Sequence, residues 1–281
     1  MALLTAAPTR PELVGLVAAV WAGERGPAPT PAERSMPTGA VHIALRLRGG
    51  DLRIDGASFS RAVVGGPRTA AYRRETLGPV TSVGVMIEPW AVAAIVGAPG
   101  EALRGRHVDL EALWGRAAAL RLLARLDDAL AGGPRALVAR VEAELAGRLG
   151  DARPTGADRL AVEASRRGHP QAEVAAALGW SPRRLRARVR ALSGLSPREH
   201  HRLTRLQRLL RRVAERPEEA WIDRALAAGY ADQAHLCREF RALTGLTPTA
   251  YAPLPGQPNH VPEREVGAPP NRSRRGAGRR R

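Results

Sequence analysis

The chain lacks lysine and contains one cysteine among its 281 residues. The single thiol, Cys237, excludes an intrachain disulfide and a zinc site built from cysteines. Without lysine there is neither Schiff-base chemistry nor a phosphate loop of the Gly-Lys-Ser/Thr type, and no Gly-x-Ser-x-Gly nucleophile elbow occurs. These absences predict a protein that is not an enzyme and carries no cofactor.

Long apolar runs are also missing. No stretch approaches the roughly 18 apolar residues of a membrane span, and the first residues lack the apolar core of a signal peptide. We therefore expect a soluble, cytoplasmic protein that does not contact a membrane.

Charge is abundant but uneven. All 44 basic residues are arginine, against 27 acidic residues, which gives a net charge of +17. Residues 1–150 hold 18 Arg and 14 acidic residues (+4), and residues 151–281 hold 26 and 13 (+13). A basic half joined to a nearly neutral half indicates a nucleic-acid binder with a separate second domain.

The basic half contains an internal repeat. Residues 190–197, RALSGLSP, recur at 241–248 as RALTGLTP, and AAALGW at 175–180 is echoed by ALAAGY at 225–230. Two similar units about fifty residues apart predict one supersecondary element used twice.

Each unit has the pattern of a helix-turn-helix. The first helix ends at a glycine, Gly179 or Gly229, and an N-cap follows, Ser181 before Pro182 or Asp232. The second helix carries an apolar stripe at spacings of three and four. The stripes are Leu185, Val189 and Leu192 in the first unit, and Leu236, Phe240 and Leu243 in the second.

The opposite face of each second helix is rich in arginine. Such a face suits a major-groove recognition helix, because arginine can bind a guanine edge through two hydrogen bonds. A solvated amphipathic helix is the alternative, and the capped repeat disfavours it.

The segment GYADQAHLCREF at 229–240, followed by GLTP at 245–248 and Tyr251, closely resembles the signature of the AraC/XylS transcriptional regulators. The resemblance covers roughly residues 158–252. It implies two helix-turn-helix units joined by a long helix, binding double-stranded DNA and controlling transcription together with RNA polymerase.

The resemblance and the helical pattern together give the candidate DNA-binding residues. They are Arg183, Arg184, Arg186, Ala187 and Arg190 in the first unit, and Gln233, Ala234, His235, Arg238 and Arg241 in the second. The sequence departs from the family where Leu236 and Val189 replace Phe. It also departs where Ala187 and Ala234 occupy positions that often carry polar side chains.

Between the units, residues 198–216 are predicted to form one connector helix of roughly 28 Å, long enough to place the recognition helices about one DNA turn apart. Its exposed arginines include the phosphate-contact candidates Arg202, Arg205 and Arg208, for which plain solubility is the alternative role.

The first half predicts a small antiparallel β barrel or sandwich with flanking helices. Strands are expected at 41–48, 52–54, 62–64 and 80–87, separated by glycine- and proline-bearing turns, after an amphipathic segment at 12–22. A short helix at 91–96 and a helical hairpin at 110–131 and 135–149 follow. The hairpin's leucine stripes suggest a linker that pairs two copies of the chain.

This half also resembles, more weakly, the ligand-sensing or pairing domain that precedes the same DNA-binding module in many of these regulators. The resemblance depends on the turns at 36–39 and 64–67 and on the passage GVMIEP at 84–89. It implies a small-molecule effector without identifying one. His42 and His107 lie 65 positions apart, so no metal site is predicted.

The resulting architecture is α+β with two domains: a β-rich regulatory domain at 1–109, a helical hairpin at 110–152, an all-α tandem helix-turn-helix domain at 153–252, and a disordered basic tail at 253–281. The predicted function is sequence-specific regulation of transcription. A non-specific architectural DNA-binding protein, or a module that binds another protein, are the alternatives left open.

Overall fold

The computed structural model describes residues 4–26, 32–50, 52–76, 78–150, 153–254, 257 and 259–262. The described part of the first half contains ten strands, of which the second to the ninth follow one another without an intervening helix. The strands are β1 Leu4–Ala6, β2 Val17–Arg25, β3 Ala32–Ser35, β4 Val41–Arg48, β5 Leu52–Ile54, β6 Ala57–Phe59, β7 Ala62–Gly65, β8 Tyr72–Thr76, β9 Val80–Ile87 and β10 His107–Asp109. The predicted strands are confirmed, and the segment at 12–22 is mostly β2.

Helices follow from residue 92 onward. The helices are α1 Val92–Val96 (between β9 and β10), α2 Leu110–Trp114, α3 Arg116–Ala129, α4 Gly133–Ala146, α5 Gly156–Arg167, α6 Gln171–Ala177, α7 Pro182–Ser193, α8 Pro197–Glu215, α9 Trp221–Ala228 and α10 Gln233–Thr244. A last strand, β11 His260–Pro262, closes the described part of the chain. No helix in the described ranges has the length and apolarity to cross a membrane.

The strands form two antiparallel sheets, ordered β1-β2-β9-β4-β7-β10 and β11-β3-β8-β5-β6. Leu52 and Ile54 of the second sheet pack against Val63 of the first, so the sheets face each other as a sandwich. The expected sandwich is therefore confirmed in preference to a closed barrel.

Strand β4 shows how the first sheet divides its two faces. Val41, Ile43 and Leu45 are at most 1% exposed and share one hydrophobic core with Leu126 of α3 and Leu137 of α4. Since strand side chains alternate, His42 points to the other face, between the sheets.

The helical hairpin therefore belongs to the N-terminal domain, and describing it as a linker was wrong. Stripe residues such as Leu126 and Val141 are buried in the core that they share with the sheet of the same chain, whereas Leu120 stays exposed. Pairing of two copies through the hairpin stays a prediction. The first predicted helix is also interrupted at Gly115, whose φ of 80° directs the chain out of α2 before α3 begins.

The disordered tail was expected to start at residue 253, which is too early, because β11 follows at His260–Pro262. Strand β11 pairs antiparallel with β3 through Val261 and Arg34, so the C-terminal segment completes an edge of the N-terminal sandwich. A strand of three residues is too short to show a periodic pattern in the sequence. Residues 263–281, including the arginine-rich end, lie outside the described residues.

The sandwich interior brings together two histidines that are distant in sequence. The rings of His42 and His107 lie 6.0 Å apart, and His107 also contacts Tyr72 at 4.9 Å. Burial, reinforced by the positive charges of nearby arginines, lowers the pKa of His42 to about 4 and that of His107 to about 3. Among the described residues no group of three or more potential ligands forms a metal site.

These two histidines predict that the protein is less stable in mild acid. An unfolded histidine has a pKa of about 6.5, so between that pH and about 4 the unfolded chain binds more protons than the folded one. The free energy of unfolding should fall by about 1–2 kcal/mol for each histidine between pH 7 and pH 5. Urea unfolding at both pH values measures it.

Replacing one buried histidine should reduce this pH dependence. His42→Gln removes a titrating group, whereas His169→Gln makes the same change at an exposed position. The same pH dependence in His42→Gln and the wild-type chain would contradict the effect of burial.

Candidate nucleic-acid interface

The first helix-turn-helix unit consists of α6, a turn and α7. Gly179 in the turn has a φ of 63°, and Ser181 Oγ then accepts a hydrogen bond from Arg184 N at 3.2 Å. Leu185 and Val189 on α7 are completely buried. The predicted cap and inward stripe are therefore both present, and they fix which side of α7 faces out.

The second unit repeats this arrangement with α9 and α10. Gly229 has a φ of 93°, and Asp232 Oδ1 accepts a hydrogen bond from His235 N at 2.6 Å. Leu236 and Phe240 on α10 are completely buried. The two recognition helices are thus capped and anchored in the same way.

The outward side of α7 carries what we call the first cationic face, formed by Arg183, Arg184, Arg186, Ala187 and Arg190, all of them exposed. Arg184 lies over the ring of Trp180, with its guanidinium carbon 5.0 Å from the ring centroid. Arg190 Nε lies 3.4 Å from Glu101 of the N-terminal domain. Within the described part of the chain, Arg183 and Arg186 make no hydrogen bond or ion pair, so their side chains remain available to a ligand.

The outward side of α10 is less charged. We call it the second cationic face, formed by Gln233, Ala234, His235, Arg238 and Arg241. His235 alone is half-buried: its ring meets that of Tyr230 edge to face with a centroid separation of 5.4 Å, and its Nδ1 accepts a hydrogen bond from Ala231 N at 3.4 Å. The single thiol, Cys237, is exposed on the same helix.

Not every arginine of α7 points outward. Arg188 donates from Nε and Nη2 to the two carboxylate oxygens of Asp158, at 2.6 and 2.8 Å. Asp158 is 1% exposed and also forms the capping box of α5 with Thr155. Burial opposes ionisation of Asp158, but its hydrogen bonds to Arg188 and Thr155 dominate and lower its pKa. This pair ties α7 to α5, and Thr155-x-x-Asp158 was the only trace of it in the sequence.

The connector helix α8 has the predicted length, but two of its phosphate-contact candidates are engaged inside the protein. Arg202 Nε donates to Glu239 at 3.0 Å, and Arg205 Nη2 donates to the same carboxylate at 2.8 Å. Glu239 lies on the inner side of α10, 8% exposed. The expectation that Arg202 and Arg205 lie on the exposed side of the connector was therefore wrong, because a buried carboxylate on the next unit attracts both.

The third candidate, Arg208, is exposed and lines a cleft between the domains. The cleft has a volume of about 180 Å³ and lies between α8 and the strand ends near Gly39 and Glu88. Two further arginines, Arg166 and Arg211, also line it. Arg208 therefore faces the N-terminal domain.

Comparison with known proteins agrees with this geometry. Residues 174–253 match the model of a helix-turn-helix domain, and residues 5–109 match a domain of unknown function, DUF6597. A search of curated proteins found no match.

Similar solved structures include ToxT from Vibrio cholerae with a bound unsaturated fatty acid, which is 10% identical in sequence. The match covers 84% of this chain and 95% of that chain, with a TM-score of 0.46. Another is ToxT bound to (E)-4-(8-methylnaphthalen-1-yl)but-3-enoic acid, at 10% identity, 83% and 97% coverage and a TM-score of 0.47. The assignment depends on the domain match and on the two capped units. The chain therefore carries an AraC-type helix-turn-helix domain behind a DUF6597 domain.

Proposed function

We propose that the chain regulates transcription by binding a specific DNA sequence, with α7 and α10 in successive major grooves. The observation that carries this proposal is the repeated geometry. In both units a side-chain cap starts the recognition helix, two fully buried residues anchor it, and arginines occupy the outward side. A helix held in this way presents the same side chains to each DNA molecule it meets.

Four arginines are the main candidates for contact with bases or phosphates: Arg183 and Arg186 in the first unit, and Arg238 and Arg241 in the second. Arginine can bind the O6 and N7 atoms of guanine simultaneously, and Gln233 can bind adenine in the corresponding way. Ala187 and Ala234 cannot hydrogen-bond, but an alanine can contact the methyl group of thymine. The caps Ser181 and Asp232 orient their helices.

The connector sets the approximate separation of the two units. Helix α8 has 19 residues and spans about 28 Å at 1.5 Å per residue. Adding the width of the flanking units brings the recognition helices close to the roughly 34 Å of one DNA turn. Arg208 is kept as a phosphate-contact candidate, whereas Arg202 and Arg205 are given a structural role.

The N-terminal domain is proposed to adjust DNA affinity in response to a small-molecule signal. Both domains line the cleft that contains Arg166, Arg208 and Arg211, so an occupant would contact both at once. The arginines favour an anion. The test is to find a compound that raises the melting temperature of the protein and to measure whether it also changes the dissociation constant for the selected DNA. Both effects should be lost in Arg166→Ala, which removes one arginine of the cleft.

Control of transcription requires that the bound protein recruit or exclude RNA polymerase. A reporter gene placed behind the selected DNA determines which of the two occurs. The alternative function, non-specific or architectural DNA binding, is favoured by the alanines on both cationic faces. These reduce the number of hydrogen bonds that can distinguish one base from another.

Selection of bound fragments from random DNA tests sequence specificity. We expect a motif with two half-sites whose centres lie about 10–10.5 base pairs apart, because two recognition helices on one face of the duplex require this spacing. Recovery of unrelated sequences would favour the architectural alternative.

Removing one recognition arginine should weaken binding of the selected site. Arg238→Ala is expected to cost about 1–3 kcal/mol and to relax preference at one base position. Arg53→Ala, which removes an exposed arginine of β5, is the matched control for lost charge. Fluorescence anisotropy with the site and its single-base variants measures both effects, and equal affinity for Arg238→Ala and Arg53→Ala argues against a base contact.

Replacing two different arginines on α7 should have two different effects, one on DNA binding and the other on stability. Arg186→Ala removes an unpaired exposed side chain, so it should weaken DNA binding at unchanged melting temperature. Arg188→Ala removes the charged partner of the buried Asp158 carboxylate, which keeps only its hydrogen bonds with Thr155, and should lower stability by about 1–3 kcal/mol. Thermal unfolding and anisotropy of both variants are the measurements, and a destabilised Arg186→Ala would place that residue in the fold instead.

A further inference from the structure

The repeated sequence at the end of each recognition helix folds into the same turn. In the first unit Ser193 Oγ donates to Val189 O at 2.7 Å and accepts from Leu195 N at 3.3 Å. In the second, Thr244 Oγ1 donates to Phe240 O at 2.7 Å and accepts from Leu246 N at 3.1 Å. Gly194 and Gly245 end the two helices with φ values of 76° and 72°.

The N-terminal domain contacts the first of these turns through Arg104. Its Nη1 donates to Gly194 O at 2.7 Å, and the same guanidinium pairs with Glu199 at 2.6 and 3.0 Å. Glu199 in turn forms the capping box of α8 with Ser196. Gly100 approaches the end of α7 so closely that a side chain there would overlap the Leu192 carbonyl oxygen.

The same domain contacts the equivalent turn of the second unit through Arg34 on β3. Its Nη1 donates to Thr244 O at 3.2 Å and lies against Gly245. A backbone hydrogen bond from Ala71 N to Leu243 O, at 2.8 Å, supports the contact. Each helix C-terminus carries partial negative charge, so a guanidinium is favourable at both places.

The N-terminal domain therefore holds the C-terminal turn of both recognition helices, at carbonyl oxygens that are one residue apart in the repeat. The connector α8 already packs on the second unit, where Leu206 shares a core with Leu236 and Phe240. Helix α7 is held to α8 less extensively, so contacts from a common body to both helix ends further restrict how the two units tilt relative to each other. The spacing and relative orientation of the cationic faces are then set by the N-terminal domain as well as by α8.

We propose that Arg34 and Arg104 are positioning residues that fix the half-site spacing accepted by the two recognition helices. This inference depends on the proposed DNA-binding function. Neither residue needs to contact DNA, because both act on the backbone at the end of a recognition helix. If instead they only joined the domains, their loss would weaken binding at every spacing by the same factor.

The first experiment measures the spacing preference directly. The selected half-sites are placed at the preferred separation and at separations one and two base pairs longer and shorter. Wild type should prefer its own spacing over the next by about tenfold, because one base pair rotates a half-site around the duplex. In Arg34→Ala/Arg104→Ala this preference should fall to less than about threefold, with single half-site affinity unchanged.

The controls separate positioning from general damage. Arg53→Ala removes the same charge from the N-terminal domain away from these turns and should keep the wild-type preference. Arg104→Lys keeps the cation at the helix end but loses the two-pronged pairing with Glu199, so an intermediate preference is expected. An unchanged preference in the double variant, or an equal loss at all spacings, would overturn the proposal. If wild type binds no DNA, the proposed function fails instead.

A second measurement needs no DNA. Cys237 is the only cysteine and lies exposed on α10, so Ala187→Cys gives a pair of labelling sites, one on each recognition helix. Pulsed electron paramagnetic resonance on the spin-labelled chain should give a narrow distance distribution. The distribution should broaden when Arg34 and Arg104 are both alanine, in each case with the intact fold checked by thermal unfolding. An equally narrow distribution in the double variant would contradict the inference even if the function stands.

Discussion

Burial of one apolar stripe on each recognition helix is the constraint on which the arrangement of both cationic faces depends. A helix whose Leu185 and Val189, or Leu236 and Phe240, are completely enclosed cannot rotate about its axis without exposing them. Each such side chain contributes about 1.5–3 kcal/mol on burial. The outward residues are therefore held in one direction by packing that they do not themselves provide.

The N-terminal domain uses its two sheet faces differently. The aliphatic face of the first sheet packs under the α3–α4 hairpin, whereas the face between the sheets holds polar and aromatic groups around His42 and His107. Arg46, 7% exposed, satisfies the carbonyl oxygens of Gly50, Phe59 and Ser60 there. The hairpin thus supplies the main apolar cover of the sheet. The space between the sheets can therefore hold the histidines and Arg46, which a purely aliphatic core would exclude.

Periodicity predicted much of this, because alternation and helical spacing report which way a side chain points. Strand β4 follows from that pattern alone, and the starts of α7 and α10 follow from the predicted caps Ser181 and Asp232. It does not report what lies opposite. Arg186 and Arg188 are the same residue type on one helix, yet only Arg188 meets a buried carboxylate, and this lies on α5, 30 positions earlier. His42 and His107 likewise become neighbours only through the pairing of β7 with both β4 and β10.

Net charge is for the same reason a poor measure of the surface that DNA can meet. Arg202 and Arg205 pair with Glu239 inside the protein. Arg104 and Arg34 bind the ends of helices and not another molecule. The first cationic face differs from these inward-facing arginines not in the number of its arginines but in their surroundings. Arg183 and Arg186 meet no acidic group in the described part of the chain. Arg190 is the borderline case: Glu101 lies 3.4 Å away in the N-terminal domain, so phosphate must displace that carboxylate to use it. Because both side chains of this pair are about half exposed, the ion pair itself is weak, and a phosphate can replace it at little cost in free energy.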